Sequence, residues 1–215
     1  MNRFRTILGL AGVLLVAVLV VYGWLFFGHT LPKADALEKI ALEDKDAAKR
    51  QQAASDLISL GTKQNMFLEP VPNIRRVLEK STDPEVRALM ILGITQIRDW
   101  DSMPKVIDAL ADDSVVVRVQ ACNTVQNLLA CDVHAASYDP RADEAHRRDG
   151  IPKIHERWDD MKATEVRSDR YSKQEQAELA RYSKDELAFY ARRFHDQVLE
   201  PYHKKLKELN IPTSD

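Results

Sequence analysis

The sequence predicts an all-α protein: a short α-solenoid of three to four helix pairs, preceded by one N-terminal transmembrane helix and followed by a C-terminal capping helix or hairpin. Apolar residues from Asp35 onward recur at helical spacing, and no segment alternates as a half-buried strand does. Glycine contributes only 7 of the 215 residues, which is few for a turn-rich β-sandwich. Related segments recur about 34 residues apart, a period typical of solenoids.

The N-terminal segment 7–27 reads ILGLAGVLLVAVLVVYGWLFF and carries no charged residue. At about 1.5 Å per residue it would span roughly 31 Å, the thickness of the hydrocarbon core of a bilayer. Arg3 and Arg5 precede it and no acidic residue does. The positive-inside rule therefore predicts a single-pass signal anchor, with residues 1–6 in the cytoplasm and the chain after the linker 28–34 on the extracytoplasmic side.

The alternative for this segment is a cleaved secretory signal, because Ala34-Asp35-Ala36 has the form of a cleavage site. Cleavage near Ala36 would release a secreted or periplasmic protein. The apolar run of 21 residues is longer than the 7 to 15 residues usual for a signal peptide, which favours the uncleaved anchor.

Internal repeats organise the region 35–168. Residues 42–53 align with residues 110–121 at a constant offset of 68, with Leu, Asp, Arg, Gln and Ala shared. A further unit lies between them, and a weaker fourth copy begins at Ile151, after the charged insertion 132–150. The remaining segment, 169–215, is predicted to form a separate helical region.

The repeating pattern of a helix, a Leu-x-Asp turn, Val-Arg and then Ala resembles HEAT repeats, in particular the short type related to bilin-lyase-like repeats. A turn aspartate and a helix arginine lie six residues apart in Asp44/Arg50 and Asp112/Arg118, as the inter-repeat ladder of that family needs. The middle unit departs from this pattern, since Ser81 stands six residues before Arg87 and Asp83 is only an offset substitute. The positions assigned to repeat turns and to the ladder are Asp44, Arg50, Arg87, Asp112, Arg118 and Arg167.

The resemblance implies a non-catalytic scaffold that binds another protein. Solenoids present extended surfaces along their second helices. The third repeat carries polar residues there that a core would not need, so the predicted binding positions are Gln120, Asn123, Thr124 and Asn127. The expected function is therefore a membrane-anchored scaffold acting on the extracytoplasmic side, with an unidentified protein partner.

Two alternatives remain open at this point. The first is a bilin- or metal-dependent enzyme of a related HEAT-like repeat family. The second is a structural membrane protein that self-associates through residues 172–209, because the motif Arg-Tyr-Ser-Lys-x-Glu begins at 170 and recurs at 181. The three hypotheses therefore describe a binding protein, an enzyme and a structural protein.

Catalytic and cofactor signatures are weak throughout the sequence. Cys131-x-x-His134 with His146 lacks the regular spacing of a zinc site, and His155-Glu156 is a single pair. No phosphate-binding loop, nucleophile elbow or zincin motif is present. The sequence therefore predicts no enzyme activity, no metal and no cofactor. With 31 Lys and Arg against 33 Asp and Glu it also offers no nucleic-acid footprint.

Overall fold

The computed structural model describes residues 34–62, 68–129, 133, 136–165 and 173–213. The described residues contain helices and turns and no strand, which confirms the all-α prediction. The α-helices are α1 (Ala34–Glu43), α2 (Ala47–Thr62), α3 (Val71–Lys80), α4 (Pro84–Ile97), α5 (Met103–Asp108), α6 (Val115–Leu129), α7 (Glu144–Lys162), α8 (Lys173–Leu179), α9 (Lys184–Phe194) and α10 (Glu200–Glu208).

The predicted transmembrane segment 7–27 lies outside the described residues, as does Arg167. Among the residues that the structure describes, no helix is both long and apolar enough to cross a bilayer.

Helices α1 to α7 form two layers, as a solenoid of helix pairs requires. In one layer α1 packs on α3 and α5 packs on α7, while in the other α4 packs between α2 and α6. We call these the A layer and the B layer. Helix α4 is apolar nearly all round because it has neighbours on several sides: Met90, Ile91 and Ile94 have no exposed surface. Gly93 permits the close approach, since a Cβ there would lie 2.9 Å from Cγ1 of Ile58.

Helix α7 differs from the expected fourth repeat. The insertion 132–150 was expected to end at Gly150, but α7 begins at Glu144, where the Asp143 side chain accepts a hydrogen bond from the His146 amide at 3.0 Å. Pro152 therefore lies inside the helix and not in its first turn. Gly150 faces the preceding loop, and a Cβ there would lie 2.8 Å from Cβ of Tyr138. The cap thus extends the helix by two turns into the insertion.

The C-terminal region folds back along the A layer. Ser183 begins α9 with a full capping box, in which its hydroxyl accepts from the Glu186 amide and the Glu186 carboxylate accepts from the Ser183 amide. A π-helical turn, His195–Leu199, joins α9 to α10. Pro201 lies in the first turn of α10, where the missing N–H is tolerated because the π turn has already altered the hydrogen-bond pattern.

An aromatic cluster attaches this region to the repeats. The ring of Phe194 meets Trp100 edge-on at a centroid distance of 5.0 Å and Trp158 at 6.2 Å. Both tryptophans are buried, and farther along the chain Leu206 has no exposed surface. Residues 169–215 were predicted as a capping region, and the structure places the described part of it against α7, the turn before α5 and α3. The outer face of the B layer is left uncovered by these helices.

Candidate functional site

A ladder of arginines links successive repeats. Arg50 of α2 contacts Asp83 before α4 at 2.7 Å, and Arg87 of α4 contacts Asp112 before α6 at 2.8 Å. Both aspartates also accept backbone amides at the start of the following helix. Each pair therefore joins the second helix of one repeat to the first turn of the second helix in the next.

The six-residue spacing has a backbone cause. Each ladder arginine donates from Nη1 to the carbonyl oxygen six residues earlier: Arg50 to Asp44 at 2.9 Å, Arg87 to Ser81 at 3.2 Å and Arg118 to Asp112 at 2.7 Å. Because the acceptor is a main-chain carbonyl, any residue type can occupy the position six residues before the arginine. The expectation that Arg87 departs from the pattern is wrong, and Asp83, treated as an offset substitute, is the ladder partner of Arg50.

The contacts at the two ends of the ladder differ from those in its middle. Arg118 is buried and donates from Nε to the carbonyl oxygen of Pro140 at 2.8 Å, so a loop takes the place of the next aspartate. At the other end, the Asp44 side chain accepts the Asp46 amide at 2.8 Å in the turn before α2 and contacts no ladder arginine among the described residues. These contacts fix how α2, α4 and α6 lie relative to one another.

The charge state of Asp83 fits its role as the acceptor for Arg50. Burial on its own would raise the pKa of Asp83, but hydrogen bonds from Arg50 and from the amides of Glu85 and Val86 hold that pKa below its usual value. Asp83 is therefore a charged acceptor over the whole neutral range. These contacts give the ladder a structural role between successive repeats.

The geometry set by Arg87 and Asp112 leaves a groove between α4 and α6 on the outer face of the B layer. The groove encloses about 440 Å³. Its floor is made of small and medium apolar side chains, namely Ala88, Leu89, Leu92, Val115, Val116 and Val119. Val115 and Val116, adjacent in the first turn of α6, are 43% and 40% exposed and form part of a contiguous apolar patch.

The rim of this groove is polar and carries both charges. Glu85, Gln120 and Arg141 complete its lining. Gln120 is thus the one predicted binding residue that the structure places in the groove. Asn123 and Asn127 are exposed and continue the same face of α6 beyond it, with the side-chain Nδ2 of Asn127 donating to the backbone carbonyl of Asn123 at 2.8 Å.

Thr124 does not lie on this surface, which corrects the prediction. Its side chain has no exposed surface, and its hydroxyl lies 2.6 Å from the Thr95 hydroxyl of α4. The buried Thr124 hydroxyl is satisfied by the Thr95 hydroxyl, which accounts for a polar residue at this position without a binding partner.

The candidate catalytic groups are occupied by structural contacts. His155 lies 3.0 Å from Asp108, and His146 lies 2.7 Å from Asp143, while Cys131 and His134 are outside the described residues. Burial raises the pKa of Cys122, which lowers the fraction of its reactive thiolate form at neutral pH.

One group in the described residues has ligand atoms close enough for a metal ion: His195, Asp196 and Glu200. The two carboxylates are exposed, and the ring of His195 already lies 2.9 Å from Asp196. We assign no metal to this surface cluster.

Sequence reasoning missed the groove floor, although a signal was present. The run Val115-Val-Val-x-Val119 opens α6 with apolar side chains on more faces than packing in one layer requires. Leu89 and Leu92 contribute to the floor from α4, but whether they line the same groove depends on how α4 and α6 are rotated relative to each other.

Comparison with known families identifies the repeats. Residues 34–121 match the family model described as HEAT repeats. This match covers α1 to α5 and the first two turns of α6, and so includes Arg50, Arg87 and both of their aspartates. No curated protein and no solved structure matches the chain. HEAT repeats generally mediate protein–protein interaction.

Proposed function

We propose that this chain is a non-catalytic scaffold that binds a protein partner in the groove between α4 and α6. The carrying observation is an open apolar groove, with Val115 and Val116 exposed, on the uncovered face of HEAT-like repeats. The C-terminal helices lie on the A layer, so they leave this face accessible.

The lining of the groove defines the chemistry of the partner. An apolar floor favours a segment with two or more aliphatic or aromatic side chains on one face, such as an amphipathic helix. Glu85 and Arg141 bring opposite charges to the rim. A basic residue near Glu85 and an acidic residue near Arg141 would fix the orientation of the bound segment.

The ladder holds the two walls of the groove in place before a partner binds. Arg87 belongs to α4 and Asp112 precedes α6, so their contact spans the two walls of the groove. A groove that is already formed loses less conformational entropy when a ligand enters. Breaking this contact should therefore weaken binding even though neither residue lines the groove.

We further propose that residues 7–27 anchor the scaffold in a membrane with the repeats on the extracytoplasmic side. The uncharged run of 21 residues and the preceding Arg3 and Arg5 support this topology. Protease added outside sealed cells should digest the repeats and spare a tag at the N-terminus. Digestion of the tag instead, or full protection of the repeats, would contradict the proposal.

The groove is tested by site-specific photo-crosslinking in the full-length chain. A photoreactive side chain at Val116 should form an adduct with a defined protein, whereas the same group at Glu156, exposed on α7 in the other layer, should not. Leu89→Glu should abolish the Val116 adduct because a charge would enter the apolar floor. Equal adducts at both positions, or an adduct that survives Leu89→Glu, would refute the groove as the binding site.

A further inference from the structure

Helix α9 exposes a large apolar side chain, Phe189, to solvent. Phe189 is 62% exposed, the highest value for a large apolar side chain among the described residues. Tyr190 and Tyr182 beside it are 57% and 50% exposed, with ring centroids 5.6 Å from Phe189 to Tyr190 and 6.3 Å from Tyr190 to Tyr182. Aromatic rings grouped in this way mark an interaction surface.

The charges around Phe189 are arranged symmetrically along the helix. Asp185 lies four residues before it and Arg193 four residues after it, so each is about 6 Å away along the helix axis. Together with Phe189 they line a shallow depression with Arg192 and Asp196. We call these five residues the Phe189 face.

This pattern is complementary to itself in one orientation only. Two α9 helices that cross antiparallel at Phe189 bring Asp185 of each copy against Arg193 of the other and stack the two phenylalanines at the centre. A parallel pair would instead place Asp185 against Asp185 and Arg193 against Arg193. From this complementarity we propose that the Phe189 face pairs two copies of this chain as antiparallel helices.

The balance of charge favours a second copy over a lipid surface. The Phe189 face carries two acidic and two basic side chains, whereas helices that bind anionic bilayers concentrate Lys and Arg on their polar face. A contact through one helix pair buries less than a standard interface, so the dimer is weak and concentration-dependent. The proposal does not depend on the groove between α4 and α6, which lies in the other layer.

The antiparallel arrangement can be tested with two charge-reversal variants. Asp185 and Arg193 of the same helix are about 12 Å apart along the axis and cannot contact each other. Asp185→Lys leaves a chain with two positive ends, and Arg193→Glu leaves one with two negative ends. Neither variant can pair with itself without like charges facing each other, but the two variants can pair together with both contacts restored.

The experiment is sedimentation velocity of the full-length chain in detergent over a range of concentrations. We expect a wild-type dimer, and for Asp185→Lys and Arg193→Glu alone dissociation constants at least about tenfold higher. Their equimolar mixture should return to the wild-type value. Phe189→Ala should also weaken the dimer about tenfold through loss of the central contact, while Glu156→Lys on α7 should leave it unchanged.

Several results would overturn the proposal. A wild-type chain that stays monomeric, or a dimer unaffected by Asp185→Lys and Arg193→Glu, would show that this face does not pair copies. A mixture that remains as weak as its two components would exclude the antiparallel contact. Binding of anionic vesicles that Asp185→Lys strengthens and Arg193→Glu weakens, without a dimer, would assign the face to lipid instead.

Discussion

The repeat helices α1 to α6 and the C-terminal helices α8 to α10 are held in place by different kinds of contact. The ladder pairs join residues 33 and 25 positions apart, always between adjacent repeats. The C-terminal helices are held by the aromatic cluster around Phe194 and by a buried polar junction, in which Arg75 of α3 and Tyr202 of α10 meet at Asp99 across 127 residues of sequence. The repeats thus share their stabilisation among equivalent contacts, whereas the C-terminal region is attached by contacts that have no repeated counterpart.

The largest effect is expected at that junction. Asp99 has a side chain only 1% exposed and accepts hydrogen bonds from Arg75, Tyr202 and Ser102. Asp99→Ala would leave the Arg75 cation buried without its main partner, at a cost of about 3–5 kcal/mol in the free energy of unfolding. Urea unfolding measures this, and limited proteolysis should show α10 cleaved first.

The control for this change is Asp159→Ala, which removes an exposed contact with Lys162 within one helix. Its effect should stay within about 0.5 kcal/mol. A loss below about 1 kcal/mol for Asp99→Ala would mean that the junction is not what holds the C-terminal helices.

A ladder contact should matter less than the junction. Arg87→Met removes the bidentate contact with Asp112 and the hydrogen bond to the Ser81 carbonyl, for a loss of about 1.5–3 kcal/mol. Arg50→Met should lose a similar amount, since its contacts are equivalent. The double variant should equal the sum of the two within about 0.5 kcal/mol if the repeats are independent neighbours. Strong non-additivity in urea unfolding would show that the ladder acts as one unit.

The packing of the loop around Tyr138 against α7 can be tested at Gly150. A Cβ there would lie 2.8 Å from Cβ of Tyr138 and 3.0 Å from the Ala136 carbonyl oxygen. Gly150→Ala should therefore destabilise the protein by about 1–3 kcal/mol, although alanine is otherwise the better helix former. Asp149→Ala, at an exposed neighbouring position, is the matched control. A stabilised Gly150→Ala protein would show that the loop does not pack on α7 as described.

The smallest effect concerns pH and the same loop. Tyr138 is buried and donates to the Leu110 carbonyl at 2.7 Å, and burial raises its pKa to about 12. A folded-state pKa above the unfolded value of 10.0 stabilises the fold fully below pH 10, and this contribution is lost as pH rises through about 12. In Tyr138→Phe the decline in stability between pH 10 and 12 should be shallower. An unchanged decline in thermal melting would show that Tyr138 does not contribute.

The repeats could be predicted from sequence because their contacts are periodic. The six-residue spacing before Arg50 and Arg118 identified ladder positions even though the acceptor is the backbone carbonyl. The capping box of Ser183 and Glu186 is local in the same way, since both of its partners lie within one turn. Local geometry of this kind leaves its signature in neighbouring residues.

Burial and long-range docking could not be predicted in the same way. The surface position predicted for Thr124 was wrong. Whether its side chain faces solvent or the core depends on where α4 lies, and its hydrogen-bond partner, Thr95, is 29 residues away in the sequence. The return of α10 to α3 rests on Arg75, which has no repeated counterpart to reveal it. The groove floor likewise required the relative rotation of α4 and α6.

The most direct test of the binding account is affinity capture with the tagged full-length chain in detergent, comparing wild type with Val116→Glu and Phe189→Ala. Val116→Glu places a charge in the groove, and Phe189→Ala alters only the helix α9 surface. The account predicts that Val116→Glu loses the partner crosslinked at this position, by at least about tenfold in affinity, while Phe189→Ala retains it. Capture of that partner at wild-type strength by Val116→Glu would contradict the groove as its binding site.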